Sequence, residues 1–434
     1  MSSLDLQKSR QYWQEAQRLI PTGTQMMSKT PSQFVLGEYP LYLQSGKGSH
    51  VRDVDGNEFI DYMCAFGTVM LGYADAKVNA AVRAQLEDGI IYSLPHILEL
   101  EVAELLHKLV PSAEQVRFFK TGSEATSAAV RVARAATGRD IIAKCAAGYH
   151  GWHDWHAIGS GRPAGIPRHN QNLLPTFPYN DVMALEEIFR ENPKQVAAVI
   201  MEPVVLDEPK DGFLEKVRDL ARANGALLIF DEIVSGFRHA PGGAQQLYNV
   251  TPDLSCFGKG MANGLPLSAV VGSRNAMAQF EDANVFVSTT FGGDAISLAA
   301  AKVVLEAVAN GDVGEHIWKL GARLQEGLRS IAKRLDVPID CKGTPSRMVL
   351  TYADKGTAVA TDIRALFLQE CIRRGILFGN VVFIGAAHQD EDISRTLEVA
   401  ETAMQTVRSG IEEGDLKSRI TGAVPADIFR PRAS

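Results

Sequence analysis

Residues 225–238 read GALLIFDEIVSGFR, and four apolar residues, Leu227, Leu228, Ile229 and Phe230, run directly into two adjacent carboxylates, Asp231 and Glu232. Carboxylates at the end of a core strand are costly unless a cation meets them. Further on, Lys259 follows another short apolar run and stands between Gly258 and Gly260, with Asn263, Gly264 and Pro266 behind it. A lysine so placed is either a surface residue in a glycine-rich turn or a nucleophile able to form a Schiff base. An apolar strand ending in Asp-Glu is also what a magnesium-holding element of a nucleotide hydrolase looks like. That reading needs a GxxxxGK[ST] loop, and neither Gly46-Lys47 nor Gly258-Lys259 supplies one.

Three other stretches could meet a ligand. FFKTGSEA, residues 118–125, reads as a strand end, a turn at Gly122 and a helix opening near Ser123. Unpaired N–H groups there, with the Ser123 hydroxyl, suit a phosphate, although Thr-Gly-Ser before a helix also serves as a simple cap. CAAGYHGWHDWH, residues 145–156, carries Tyr149, Trp152 and Trp155 and has His150, His153 and His156 spaced three apart. Gly148 and Gly151 argue against a helix that would align the histidines, and no HExxH or cysteine cluster accompanies them, so no metal is expected. An aromatic wall for a flat ligand fits better, the alternative being a loop that packs its tryptophans into the core. FVSTTFGGDA, residues 286–295, is a further polar loop able to accept an anion.

These residues need elements to position them. Apolar strand candidates at 116–119, 141–145, 196–201, 227–230, 254–257 and 267–271 alternate with helical runs at 123–136, 182–191 and 214–224. Such alternation predicts an α/β fold with an open, mainly parallel sheet flanked by helices, whose ligands bind beyond the carboxyl ends of the strands. Before it lie a helix over residues 4–20, a loop-like segment from Pro21 and a hairpin around Asp55-Gly56-Asn57. After it, helices and short strands continue from about residue 301 and form a smaller α/β unit. The expected division is 1–65, an N-terminal segment joining the small domain; 66–310, the large ligand-binding domain; and 311–434, the small domain. Residues 419–434 read as a loosely held tail.

At 434 residues with 46% hydrophobic and 22% charged side chains, the chain has the composition of a globular enzyme. A formal charge of −7 gives no footprint for nucleic acid. The N-terminus lacks a continuous apolar core, so neither a signal peptide nor a membrane span is expected. Five scattered cysteines without CxxC spacing suggest free thiols and a cytoplasmic location.

Taken in order, IPTGTQ, VRDVDGNEFIDY, FFKTGSEATSAAVRVARAATGRD, GYHGWHD, IMEPV, LLIFDEIVSGFR, PDLSCFGKGMANGLPLSAVVG and TTFGGDA resemble the class III aminotransferases of the pyridoxal-phosphate fold type I enzymes, and most closely their glutamate-1-semialdehyde aminomutase branch. The resemblance implies a seven-stranded, mainly parallel sheet in the large domain. It implies that Lys259 forms the Schiff base with pyridoxal 5'-phosphate and moves the proton, with pyridoxamine 5'-phosphate as the alternate form. Asp231 would keep the pyridine nitrogen protonated, Gly122 and Ser123 would hold the phosphate, and Tyr149 and Ile233 would take the two ring faces. Thr290 would reach the phosphate from the neighbouring subunit, making the active unit at least a homodimer. Trp152, Trp155 and Glu202 are expected to line the substrate pocket.

Departures from that branch bear on substrate. Residues 25–29 read QMMSK where the branch has a Ser-Pro-Val-Arg stretch, FGNVVFIGAAH at 378–388 replaces its serine-and-glutamate stretch, Lys120 stands where asparagine is common, and Gly-Asp stands at 293–294 in place of Gly-Asn. They point to an aminotransferase working between an amine donor and a keto or aldehyde acceptor. An aminomutase, or a racemase or decarboxylase on the same framework, is the alternative. Glu232 has no assigned partner; Arg238 or a domain interface could hold it.

Overall fold

A computed structural model describes residues 4–159, 161–282 and 284–426. The chain divides into two compact units, one comprising residues 67–70 and 76–315 and the other residues 1–66, 71–75 and 316–434.

The first unit is built on a seven-stranded sheet. Its strands in chain order are β1 (Gln115–Phe119), β2 (Ile141–Cys145), β3 (Thr176–Phe177), β4 (Val196–Met201), β5 (Leu227–Asp231), β6 (Leu254–Phe257) and β7 (Ser268–Gly272). They lie in the order β1-β7-β6-β5-β4-β2-β3. Every pair is parallel except those of β7, which runs antiparallel to both β1 and β6. The central strands have no polar face because helices cover both sides. Along β5, Ile229 joins a cluster containing Ala125, Ala129 and Val132 of the Gly122–Thr137 helix, whereas Leu228 and Phe230 join the opposite cluster with Leu185, Phe213 and Val217. Side chains alternate along a strand, so Asp231 falls on the face of Ile229, under the Gly122–Thr137 helix.

The expected strands and helices of this unit appear within a residue or two, and the N-terminal helix expected over 4–20 spans Gln7–Leu19. The 301–335 stretch is two helices, Ala295–Val308 and Asp312–Leu335, separated near Gly311, whose φ of 89° suits glycine. In the second unit, Leu43–Lys47, His50–Asp53 and Glu58–Asp61 form an antiparallel run that Ile376–Leu377 extends in parallel. The Asp53 carboxylate shapes the hairpin turn by accepting from the Asp55 and Asn57 N–H groups at 3.0 and 2.8 Å. Asp55 in turn accepts from Lys8 and Ser9 at the start of the Gln7–Leu19 helix. The tail is a correction. Its described part is tied to the N-terminal segment, with Ala423 N donating to Leu36 O, Ala426 N to Ser32 O, and Thr421 Oγ1 to Glu38; residues 427–434 lie outside the described residues.

The Asp312–Leu335 helix passes so close to Pro345 that a Cβ on Gly321 would collide with the Pro345 carbonyl oxygen, while one on Gly314 in the same helix would meet nothing within 4 Å. Gly321→Ala is therefore expected to destabilise by about 1–3 kcal/mol, and Gly314→Ala to leave stability level or raise it. Urea unfolding midpoints of the two variants check this; equal midpoints would contradict the packing account.

Candidate active site

The site begins where two parallel strands end. β5 and β6 pair in register with Asp231 opposite Cys256, so the chain leaving β6 reaches Lys259 at the same sheet edge as Asp231. Lys259 has a φ of 45°, a left-handed conformation that costs a side-chain-bearing residue about 1–2 kcal/mol. Such strain is found where surrounding structure fixes a functional group. A Cβ on Gly258 would come within 3.6 Å of Ile233 Cγ2, which places the turn before Lys259 beside the Ile233 side chain.

Next to this edge starts the Gly122–Thr137 helix. Its capping box has Thr121 Oγ1 accepting from Glu124 N at 3.2 Å and Glu124 Oε2 accepting from Thr121 N at 2.7 Å. Glu124 also accepts from Lys120 N at 3.0 Å. The first helical ladder bond runs from Ala125 N to Thr121 O. The N–H groups of Gly122 and Ser123 thus have no acceptor within the helix, and they lie at its positive end. Two glycines keep this cup open. A Cβ on Gly122 would lie 2.6 Å from Ile233 Cδ1, and one on Gly151, at φ 108°, would lie 2.6–2.9 Å from atoms of Ser123. Ser123 Oγ accepts from Trp152 N at 3.3 Å.

Asp231 is almost fully buried, and both its oxygens are engaged. His150 Nδ1 lies 2.7 Å from Oδ2, and Ile233 N donates to Oδ1 at 3.1 Å. A carboxylate only accepts, so His150 carries its proton on Nδ1, and the Nε2 atom, itself buried, has no hydrogen-bond partner. A side chain on Gly148 would strike that Nε2, so the glycine makes room for the ring. Behind it, His156 packs edge-on to His150 at 5.4 Å, and burial, then His150 and Lys144, push His156 down to about 3. His150 was not among the residues expected to act; the glycines flanking the YH dipeptide are the sequence signal that could have found it.

The remaining expected residues divide. Tyr149 is exposed, and its N–H donates to Glu202 Oε1 at 3.2 Å, which ties that loop to the end of β4. Trp152 is exposed beside Ser123. Trp155 is half-buried, donates to Ser127 Oγ at 2.9 Å and packs against the core cluster on the helix side, so its indole is held by the fold. His153 pairs with Ser127, so the three histidines do not converge, and among the described residues no group of three or more His, Cys, Asp or Glu could hold a metal. Thr290 is exposed on a turn, between the exposed Phe286 and Phe291.

Glu232 has neutral partners. Its carboxylate accepts from the Ser235 hydroxyl, from Ala244 N and Gln245 N at 2.8 and 2.7 Å, and from Gln245 Nε2 at 3.4 Å. Burial pushes its carboxyl up against the opposing pull of these donors. Arg238, also buried, donates to Gly67 O at 3.1 Å.

The arrangement fits pyridoxal phosphate. It offers open N–H donors and a hydroxyl for a phosphate, a fixed carboxylate for a pyridinium, an apolar side chain for a ring face, and an amine for an aldehyde. The positions that would obstruct the cup are glycine.

Residues 36–382 match the family model for class III aminotransferases. The chain is 36% identical over 414 residues to the 3-aminobutyryl-CoA aminotransferase of Cloacimonas acidaminovorans, covering 93% of this chain and 98% of that one. It is 35% identical over 426 residues to the glutamate-1-semialdehyde 2,1-aminomutase of Methanothermobacter thermautotrophicus, covering 93% of this chain and all of the relative. Among solved structures, the pyridoxal-phosphate internal aldimine form of the FumI protein from Sphingopyxis sp. MTA144 superposes with a TM-score of 0.87 at 29% identity, over 93% of this chain and 97% of that one. An omega-transaminase from Sphaerobacter thermophilus gives 0.84 at 27%, over 92% and 98%. With the site geometry, these likenesses establish that the chain belongs to the class III aminotransferases, pyridoxal-phosphate-dependent enzymes of amino-group transfer.

Proposed function

We propose that this protein transfers an amino group between two molecules, from an amine or amino-acid donor to a keto or aldehyde acceptor, with Lys259 as the covalent attachment point. The observation that carries the reading is that Asp231 ends one strand and Lys259 follows two residues after the end of the adjacent parallel strand, beside a helix start with open N–H groups. Bound pyridoxal phosphate supplies an exchangeable aldehyde and a ring that takes up the electron pair of the amine-bearing carbon. With the cofactor bound, Lys259 Nζ would be the base that takes the proton from that carbon and the acid that returns it. Asp231, fixed by His150 and by Ile233 N, holds the pyridine N–H. Gly122 N, Ser123 N and Ser123 Oγ bind the phosphate; Ile233 and Tyr149 pack on the ring. Trp152, Trp155 and Glu202 are assigned to the substrate side, Trp155 and Glu202 acting through the loop they anchor.

The absence of an arginine from QMMSK and the apolar 378–388 stretch favour transfer between molecules over the aminomutase reaction. The aminomutase stays as the second reading because an aminomutase of 35% identity aligns over 93% of this chain. The five cysteines, all buried free thiols, support a cytoplasmic location. Among the described residues no helix is long and apolar enough to cross a membrane.

Thr290 is placed in the partner's site. Ile90, Ile91, Leu94, Ile97, Phe286 and Phe291 are large apolar side chains left exposed in the single chain, which supports burial of these segments in a homodimer. Ala295 N donates to Ile90 O at 2.8 Å, which joins the Thr290 turn to the first of these segments.

The deciding experiment adds α-amino acids, β-amino acids, simple amines and a 3-aminoacyl thioester singly to the holoenzyme and follows the visible absorbance of the lysine-bound cofactor. A donor that discharges the absorbance once per site and releases its oxo product supports the proposal; interconversion of isomers of one compound without a free oxo product would favour the aminomutase. Lys259→Ala should remove both absorbance and turnover.

Asp231→Asn is expected to lower kcat by about 3 kcal/mol of barrier, or roughly 100-fold or more, while cofactor is retained. Near-normal turnover at saturating cofactor would refute the proposed hold on the pyridine N–H.

For Thr290, equal amounts of Lys259→Ala and Thr290→Ala subunits can be mixed and reassembled. If Thr290 acts across the interface, mixed dimers regain one intact site and with it cofactor binding at low concentration. No recovery would place Thr290 within its own subunit's site.

A further inference from the structure

One pair of opposite charges lies beside the phosphate cup and takes no part in the roles assigned above. Lys120 stands between Phe119, the last residue of β1, and the cap residue Thr121. Its ammonium forms an ion pair with the Asp294 carboxylate and donates to Ser297 Oγ at 3.2 Å. Only 16% and 11% of the two side chains remain exposed. Asp294 also caps the Ala295–Val308 helix, its Oδ1 accepting from Ser297 N at 3.0 Å.

Each partner is bonded to a different part of the site. The Lys120 backbone N–H donates to Glu124, the same carboxylate that completes the Thr121 capping box and so fixes the direction of the Gly122 and Ser123 N–H groups. Asp294 closes the turn that carries Thr290, with Asp294 N donating to Phe291 O at 3.2 Å. Gly292 in that turn is pressed against Phe118 O, where a Cβ would lie 2.7 Å away. The ion pair is thus a bond between the turn at 289–294 and the start of the Gly122–Thr137 helix.

A buried pair of this kind contributes little by its mere presence, but removing one member leaves an unpaired charge that the surroundings must move to solvate. Burial pushes Lys120 down to about 8, with Glu124 working against that shift. An opposite charge beside an ammonium favours its charged form, which is the direction in which Asp294 acts on Lys120.

We propose that Lys120 and Asp294 are positioning residues that form a clasp, fixing to one another the helix start that binds the phosphate in its own subunit and the Thr290 turn that serves the partner's site, so that recognition of the cofactor phosphate depends on the pair being matched. The proposal rests on the cofactor reading above. The role is indirect: neither side chain needs to touch the phosphate.

The test titrates the cofactor-stripped full-length protein with pyridoxal 5'-phosphate and, separately, with pyridoxal, which has the aldehyde and ring but no phosphate. The variants are Lys120→Met, which keeps the side-chain length; Asp294→Asn, which keeps the helix cap; and the double variant. Each single change is expected to weaken pyridoxal phosphate binding about 10-fold or more while pyridoxal changes less than about 3-fold, and the double variant to recover most of the loss. General loosening or partial unfolding would weaken both aldehydes alike, so the ratio separates positioning from mere stability. Single variants that lose nothing, or that lose both ligands equally, overturn the clasp, as does a double variant no better than the worse single one. A wild-type chain that binds pyridoxal as tightly as its phosphate ester would instead overturn the phosphate site, and the clasp with it.

Discussion

The large unit is organised around a carboxylate fixed at the end of a buried strand. Asp231 continues the side-chain alternation of β5, so it emerges under the Gly122–Thr137 helix, with its oxygens taken by His150 Nδ1 and Ile233 N. A charge held that far from water is unfavourable until a cation arrives. Each carboxylate oxygen keeps a second lone pair, so a pyridinium can be accepted without breaking either bond. In the proposed role of Asp231, binding of a protonated ring would offset the burial cost of the carboxylate.

That anchor determines the glycines. His150 must reach Asp231 from a loop beyond β2, which leaves no room for a side chain at Gly148. The same loop then passes over Ser123, which leaves none at Gly151, and Ile233 two residues past Asp231 leaves none at Gly122. The capping box consumes the Thr121 and Glu124 N–H groups, so the two donors left open belong to the residues with the least side chain above them. The open helix start and the fixed Asp231 carboxylate, proposed to take the phosphate and the pyridine nitrogen, are thus consequences of one packing arrangement.

Much of this was legible in the sequence because the strands are continuous apolar runs with punctuating glycines. The seven-stranded sheet, the positions of Lys259 and Asp231 at its edge and the helix start at Gly122 follow from local patterns and from ordered motifs. The rest depends on contacts between residues distant in sequence. His150 was read among spaced histidines, yet its partner is 81 residues away, and no periodicity reports such a pair. Residues 420–426 have the composition of a loose end, but backbone bonds from Ala423 and Ala426 to Leu36 and Ser32 hold them in place. Trp155 stands in a cluster of aromatics that reads as a wall for a ligand, and the bond to Ser127 and the packing on the apolar cluster that hold it are not visible in the local pattern.

Three buried ionisable groups near the sheet edge show why burial alone does not identify function. Glu232 accepts from four donors, from Ser235, Ala244 and Gln245, and a Cβ on Gly243 at φ 86° would lie within 3 Å of it. Its donors are neutral and its surroundings closed, so it shapes the turn after β5 and offers nothing to a ligand. Lys120 is matched by a carboxylate of the same chain, which makes it a link between two segments. Among the described residues Asp231 has only a hydrogen-bonding histidine and a backbone N–H as its donors, so of the three it is the group with acceptor capacity left for the proposed ligand. Two adjacent carboxylates in the sequence therefore separate by a single criterion: whether the donors that surround each one are already sufficient.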